Sequence, residues 1–94
     1  MISLDQKTSF DIVNEVAARV RARRKERRLT QAQLAEKAGM SLASYKRFEQ
    51  TGQVSFQSLA SVAIALDCEE CFDALFAQRQ YSSIEEVLNA KAAR

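Results

Sequence analysis

The stretch LTQAQLAEKAGMSLASYKRFEQTG, residues 29–52, writes two short helices and the turn between them. Thr30 stands before an apolar run and Gln33 follows three residues later. In a capping box of this spacing each side chain satisfies a free backbone N–H of the first turn, so a helix starts at Thr30. Leu29 and Leu34 have the spacing of a hydrophobic staple, and Ala38-Gly39 ends the helix with the residue that best tolerates the left-handed conformation. Ser41 then caps a second helix, Met40 and Tyr45 repeat the staple spacing, and Gly52 falls just beyond the end.

Two helices crossing steeply over so short a link must approach closely. The first must present a small residue, the turn must permit positive φ, and the second must return an apolar side chain. Ala35, Gly39 and Tyr45 meet these demands, which favours a helix-turn-helix over a plain helical hairpin.

Composition narrows the architecture. Ninety-four residues suit a single domain, read as 1–94, with no room for a separate ligand-sensing module. There is no proline and there are only two glycines, both at helix ends, so the chain is expected to be all-α. No apolar run approaches the ~20 residues of a membrane span, and the N-terminal MISLDQKTSF is too polar for a signal peptide; the expectation is a cytoplasmic protein with no membrane partner. Net charge is only +2, but it is unevenly spread. Residues 1–47 hold eleven Lys or Arg against five Asp or Glu, giving +6, and residues 48–94 hold three against seven, giving −4. Arg19, Arg21, Arg23, Arg24, Lys25, Arg27 and Arg28 crowd the approach to the motif. About half of such a run is expected to be a solvated helix face and the rest to approach phosphate.

Periodicity supplies the remaining elements. A first helix is expected from Thr8 or Ser9 to about Arg27, with Phe10, Val13, Val16, Ala17 and Val20 facing the core. Ser55 caps a fourth helix whose stripe is Leu59, Val62, Ala63 and Leu66, stapled by Val54. Asp67 to Ala77 is expected to form a short acidic fifth helix carrying Phe72, Leu75 and Phe76. Ser83 and Glu86 form a further capping box, opening a tail helix at about 83–92 with Ile84, Val87 and Leu88 on one face.

From about residue 20 to residue 76 the chain resembles the Cro and phage-repressor type (XRE) helix-turn-helix family. The landmarks are Arg24 in the basic approach, LTQxxLA at residues 29–35, Gly39, Glu49, Gly52 and the helix around residues 59–66. The resemblance implies a five-helix phage-repressor-like core at about 10–77, binding of double-stranded DNA, and no enzymatic activity or cofactor. It implies a salt bridge between Arg24 and Glu49 that joins the first and third helices. It further implies dimers built through the C-terminal parts, for which Phe72, Phe76, Ile84, Val87 and Leu88 are the interface candidates; intramolecular packing of the tail is the alternative. At position 28 the family often has glycine. Here Arg28 either adopts positive φ or the first helix ends differently. The block KRFEQTGQVSFQSLASVAIAL resembles a subgroup of regulators paired with HipA-type kinase toxins.

In a helix-turn-helix the second motif helix enters the major groove by its N-terminal half, which nominates Leu42, Ala43, Lys46 and Arg47. Arg47 can present its planar fork to guanine O6 and N7, Ala43 can rest against a thymine methyl, and Lys46 can reach a base or a phosphate. Gln31, Ser41 and Ser44 match family positions that hold the DNA backbone or buttress the readers. Periodicity groups Leu42 with the core residues Tyr45 and Phe48, whereas the family places that position at the groove; exposure is favoured because the first turn of a docked helix overhangs the core.

Other chemistry finds few supports. Cys68 and Cys71 form a C-x-x-C without a second pair, and the chain has no histidine, so a four-ligand zinc site cannot be assembled within it. Glu69 and Glu70 oppose a thiolate, and the cysteines are expected to be reduced and partly buried. Two functional classes remain: a self-sufficient dimeric repressor, or an antitoxin-like component that binds DNA and a HipA-like kinase toxin. A non-DNA-binding interaction module is a third.

Overall fold

The computed structural model describes residues 6–79. Four α-helices, α1 (Ser9–Glu26), α2 (Gln31–Ala38), α3 (Leu42–Thr51) and α4 (Phe56–Ala65), are followed by a 3-10 helix, Glu69–Ala74. There is no strand among the described residues, and the fold is all-helical as the sequence leads one to expect.

Each α-helix opens on a side-chain cap. Thr8 and Asp11 form a reciprocal box at α1, as do Thr30 and Gln33 at α2. The Ser41 hydroxyl accepts from the Ser44 N–H at α3, and that of Ser55 from the Ser58 N–H at α4. The C-terminal ends are equally specific. Gly39 and Gly52 sit at φ 71° and 79° immediately after α2 and α3. Arg28 takes the same left-handed region at φ 56°, so the first of its two alternatives holds. Its N–H donates to the Lys25 carbonyl at 2.9 Å, and the Leu29 N–H to the Arg24 carbonyl at 3.2 Å, a Schellman closure built without glycine.

Asp67 repeats that closure after α4, and this corrects the bounds of the fifth helix, which is present as expected. At φ 56° it is the left-handed residue that terminates α4, with its N–H on the Ile64 carbonyl and the Cys68 N–H on the Ala63 carbonyl. It cannot also begin the next helix, which starts at Glu69 as a 3-10 turn and stops at Ala74, three residues short of Ala77. Leu75 is extended and Phe76 has φ 58°. The expected tail helix, with Ile84, Val87 and Leu88, lies outside the described residues.

The core is Ala17, Leu34, Ala35, Tyr45, Phe48, Val62 and Leu66, with Val20, Leu29, Met40, Val54 and Leu59 at its margin. α1 packs on α3, α2 on both α3 and α4, and α4 on the 3-10 helix. Of the five residues expected to turn the α1 face into the core, only Ala17 is fully buried; Phe10 is 70% and Val13 39% exposed. Length explains the difference. At 1.5 Å per residue, the 18 residues of α1 run about 27 Å, whereas the 10 of α3 cover about 15 Å. The first turn of α1, with Phe10 and Ile12 exposed, therefore extends past its partner. Val13 packs beside Gly52, where a Cβ would lie 2.7 Å from Val13 Cγ2.

Candidate nucleic-acid interface

Helix α3 is oriented by its two aromatic residues. Tyr45 and Phe48 are buried at 0% and 1% exposure, their rings edge-to-face at 6.0 Å. Steps of about 100° per residue place Ala43, Lys46, Arg47 and Gln50 on the opposite face, and all four are exposed. Leu42 stands at the edge between the two faces, 39% exposed. Gln50 was missed by the reading of the sequence, although its i+3 and i+4 spacing from Arg47 and Lys46 puts it on the same face. Ser41 and Ser44 are joined hydroxyl to hydroxyl at 2.9 Å, which stiffens the first turn of α3.

Behind that face lies a polar cluster centred on Glu49. Arg24 Nε donates to Glu49 Oε2 at 2.7 Å and Nη2 to Oε1 at 3.2 Å, with side chains 10% and 4% exposed. Arg24 Nη1 also donates to the Leu29 carbonyl at 2.8 Å, tying α1 to the segment that enters α2. Gln31 Nε2 donates to Glu49 Oε1 at 3.0 Å, and the Tyr45 hydroxyl donates to Oε2. One carboxylate of α3 thus accepts from α1, α2 and its own helix. Gln31 is drawn inward to this cluster, so it buttresses α3 directly.

The electrostatics follow from these partners. Burial pushes the Glu49 carboxyl up, but the hydrogen bonds from Arg24, Tyr45 and Gln31 outweigh it and hold it below the usual glutamate range. The Glu49 hydrogen bond raises Arg24 further. Burial, reinforced by Glu49, raises the Tyr45 phenol, which stays protonated and a donor. The Tyr45 and Gln31 bonds were not anticipated. The first had a signal in the i, i+4 spacing of Tyr45 and Glu49; the second depends on how α2 sits over α3 and had none.

A cavity of about 290 Å³ is lined by Ser44 and Arg47 of α3 and by Gln53, Ser55 and Ser58 at the capped start of α4. The basic run of α1 is partly engaged: Arg23 pairs with Glu26 at 2.8 Å and Arg27 with Asp67 at 3.1 Å. Of the interface candidates, Phe72 is half-buried, its ring edge-to-face with Phe56 at 5.5 Å, and Phe76 is 96% exposed. Cys68 and Cys71 are free thiols, and among the described residues no cluster of three metal-binding side chains occurs. No helix of the described residues is long and apolar enough to cross a membrane.

A family model for a helix-turn-helix domain matches residues 15–70, which takes in most of α1, all of α2 to α4 and the start of the 3-10 helix. A comparison with curated proteins finds no match.

Proposed function

The chain belongs to the helix-turn-helix domain family over residues 15–70, and from that premise we propose that it is a transcriptional regulator, a repressor, that binds operator DNA as a dimer through α3. The observation that carries the reading is the outward face of α3, on which Ala43, Lys46 and Arg47 are exposed while Tyr45, Phe48 and Glu49 fix the helix from behind. In this reading Arg47 addresses guanine, Ala43 and Leu42 lie against thymine methyls, and Lys46 reaches a base or phosphate. Ser41, Ser44 and Gln31 position rather than specify, Gln31 by holding Glu49. One recognition helix covers only a few base pairs, so a two-fold dimer on half-sites about 34 Å apart supplies the rest.

The second reading is a HipB-like antitoxin that binds a kinase-type toxin and autoregulates its operon. It is favoured by the −4 charge of residues 48–94 and by Phe76, 96% exposed and outside the family match. Such a surface suits a basic protein partner better than phosphate.

Selection of bound duplexes from a random pool, followed by titration of the selected site, tests the assignment. Arg47→Ala should cost about 1–3 kcal/mol at one base pair and relax the preference there. Gln31→Ala should weaken all sequences more evenly. Binding indifferent to both changes would refute the role of α3. Co-purification of a kinase-like partner that leaves operator binding intact would favour the antitoxin reading.

A further inference from the structure

Cys68 and Cys71 frame the first turn of the 3-10 helix, apart from the residues assigned to DNA. The backbone is closed between them, the Cys71 N–H donating to the Cys68 carbonyl at 3.0 Å. A hydrogen-bonded turn of this kind holds its first and last Cα within about 7 Å. With about 3.0 residues per turn, a 3-10 helix also stacks side chains i and i+3 on one side. A disulfide requires a Cα separation of roughly 4.4–6.8 Å, so this turn brings the pair into range without unfolding. Access differs between them: Cys71 is exposed, whereas Cys68 is half-buried against the core with its thiol donating to the Leu66 carbonyl at 3.3 Å.

We propose that Cys68 and Cys71 are a modification site, a dithiol that a peroxide closes to an intramolecular disulfide. Cys71, facing solvent, reacts first: its sulfur takes one oxygen from hydrogen peroxide, giving a sulfenic acid and releasing water. The Cys68 sulfur then attacks the Cys71 sulfur. The S–S bond forms as the S–O bond breaks, and the leaving hydroxide takes the Cys68 proton as a second water. Two thiols and one peroxide become one disulfide and two waters, a two-electron oxidation. Burial raises the Cys68 thiol, with Cys71 and Glu70 adding to the effect against Arg27 and Arg23, which together with its half-buried position makes Cys68 the poorer first target of peroxide. The bridge immediately precedes Phe72, whose ring lies on Phe56 at the first residue of α4. Closing it therefore fixes the turn that presents Phe72.

The test treats the reduced full chain with hydrogen peroxide and follows intact mass, thiol alkylation and melting. Both thiols should become unreactive together, with the mass of two hydrogens lost, the chain monomeric on a non-reducing gel, and full recovery with dithiothreitol. The bridged form should melt higher than the reduced one. Cys68→Ala should stop at a trappable sulfenic acid on Cys71. Sulfinic acid on Cys71 with Cys68 still alkylated, a disulfide-linked dimer, or a lower melting temperature of the bridged form would each overturn the proposal; the wild-type mass decides even if the variant fails to fold.

Discussion

The Glu49 side chain is 4% exposed and negatively charged, and it is tolerated because its oxygens receive donors from Arg24, Gln31 and Tyr45. An unpartnered carboxylate there would cost far more than the pair contributes, since the desolvation of both charges offsets most of their attraction. Removing one partner is then the damaging event: Arg24→Ala should destabilise by about 3–5 kcal/mol in chemical denaturation. The pH dependence has a definite sign. Because the folded state holds Glu49 below its usual range, its contribution is complete above the unfolded value near about 4.3 and is lost as pH falls through the folded value. Glu49→Gln should therefore be less stable than wild type at neutral pH, with the gap closing on acidification. A gap constant from neutral to strongly acidic pH would contradict the assignment. The Arg24–Glu49 pair was foreseeable from the resemblance and the burial of Tyr45 from its aromatic spacing, whereas the Tyr45 hydroxyl bond to Glu49 was not read although the i, i+4 spacing allows it. The Gln31 bond was not, because local sequence says nothing of which atom an amide finds across a helix crossing.

The helices were readable from the sequence mainly through their ends. Thr30, Ser41, Ser55, Gly39 and Gly52 are caps whose chemistry is local, so a few letters fix each boundary. The bounds of the fifth helix, though not its existence, went astray for the same reason: Asp67 reads as a helix starter but serves as the left-handed terminator of α4. The α1 face misled differently, since periodicity reports a stripe but not how far along it a partner reaches. Two substitutions follow from these ends. A left-handed non-glycine residue costs about 1–2 kcal/mol, and glycine's extra chain entropy takes back about 0.5–1; Arg28→Gly should thus stabilise by up to about 1 kcal/mol, read as a higher melting temperature. Gly39→Ala and Gly52→Ala should both destabilise, but unequally. At Gly39 an added methyl would find open space, whereas at Gly52 it would meet Val13 Cβ at 2.8 Å and its backbone carbon at 2.9 Å. Gly52→Ala should cost about 1–3 kcal/mol more, the overpacking penalty added to the same backbone strain. Equal melting of the two variants would show that the α1–α3 contact yields freely.

Polarity governs the whole chain, +6 in its first half and −4 in its second. If about five phosphates are neutralised per half-site, log K should fall against log salt by about 0.9 for each, which titrations at several salt concentrations measure. A chain ending at Gln80 should keep the core of α1 to α4 while losing self-association or partner binding, and should bind its operator more weakly in consequence. Normal association and affinity in that truncated chain would remove the C-terminal segment from the interface. The three donors on Glu49 come from α1, α2 and α3, and this has a consequence for inheritance. A change at Glu49 removes at one stroke the shared acceptor of Arg24, Gln31 and the Tyr45 hydroxyl, leaving Arg24 only its bond to the Leu29 carbonyl. Along a lineage these four positions should behave as a single heritable trait, retained together or released together.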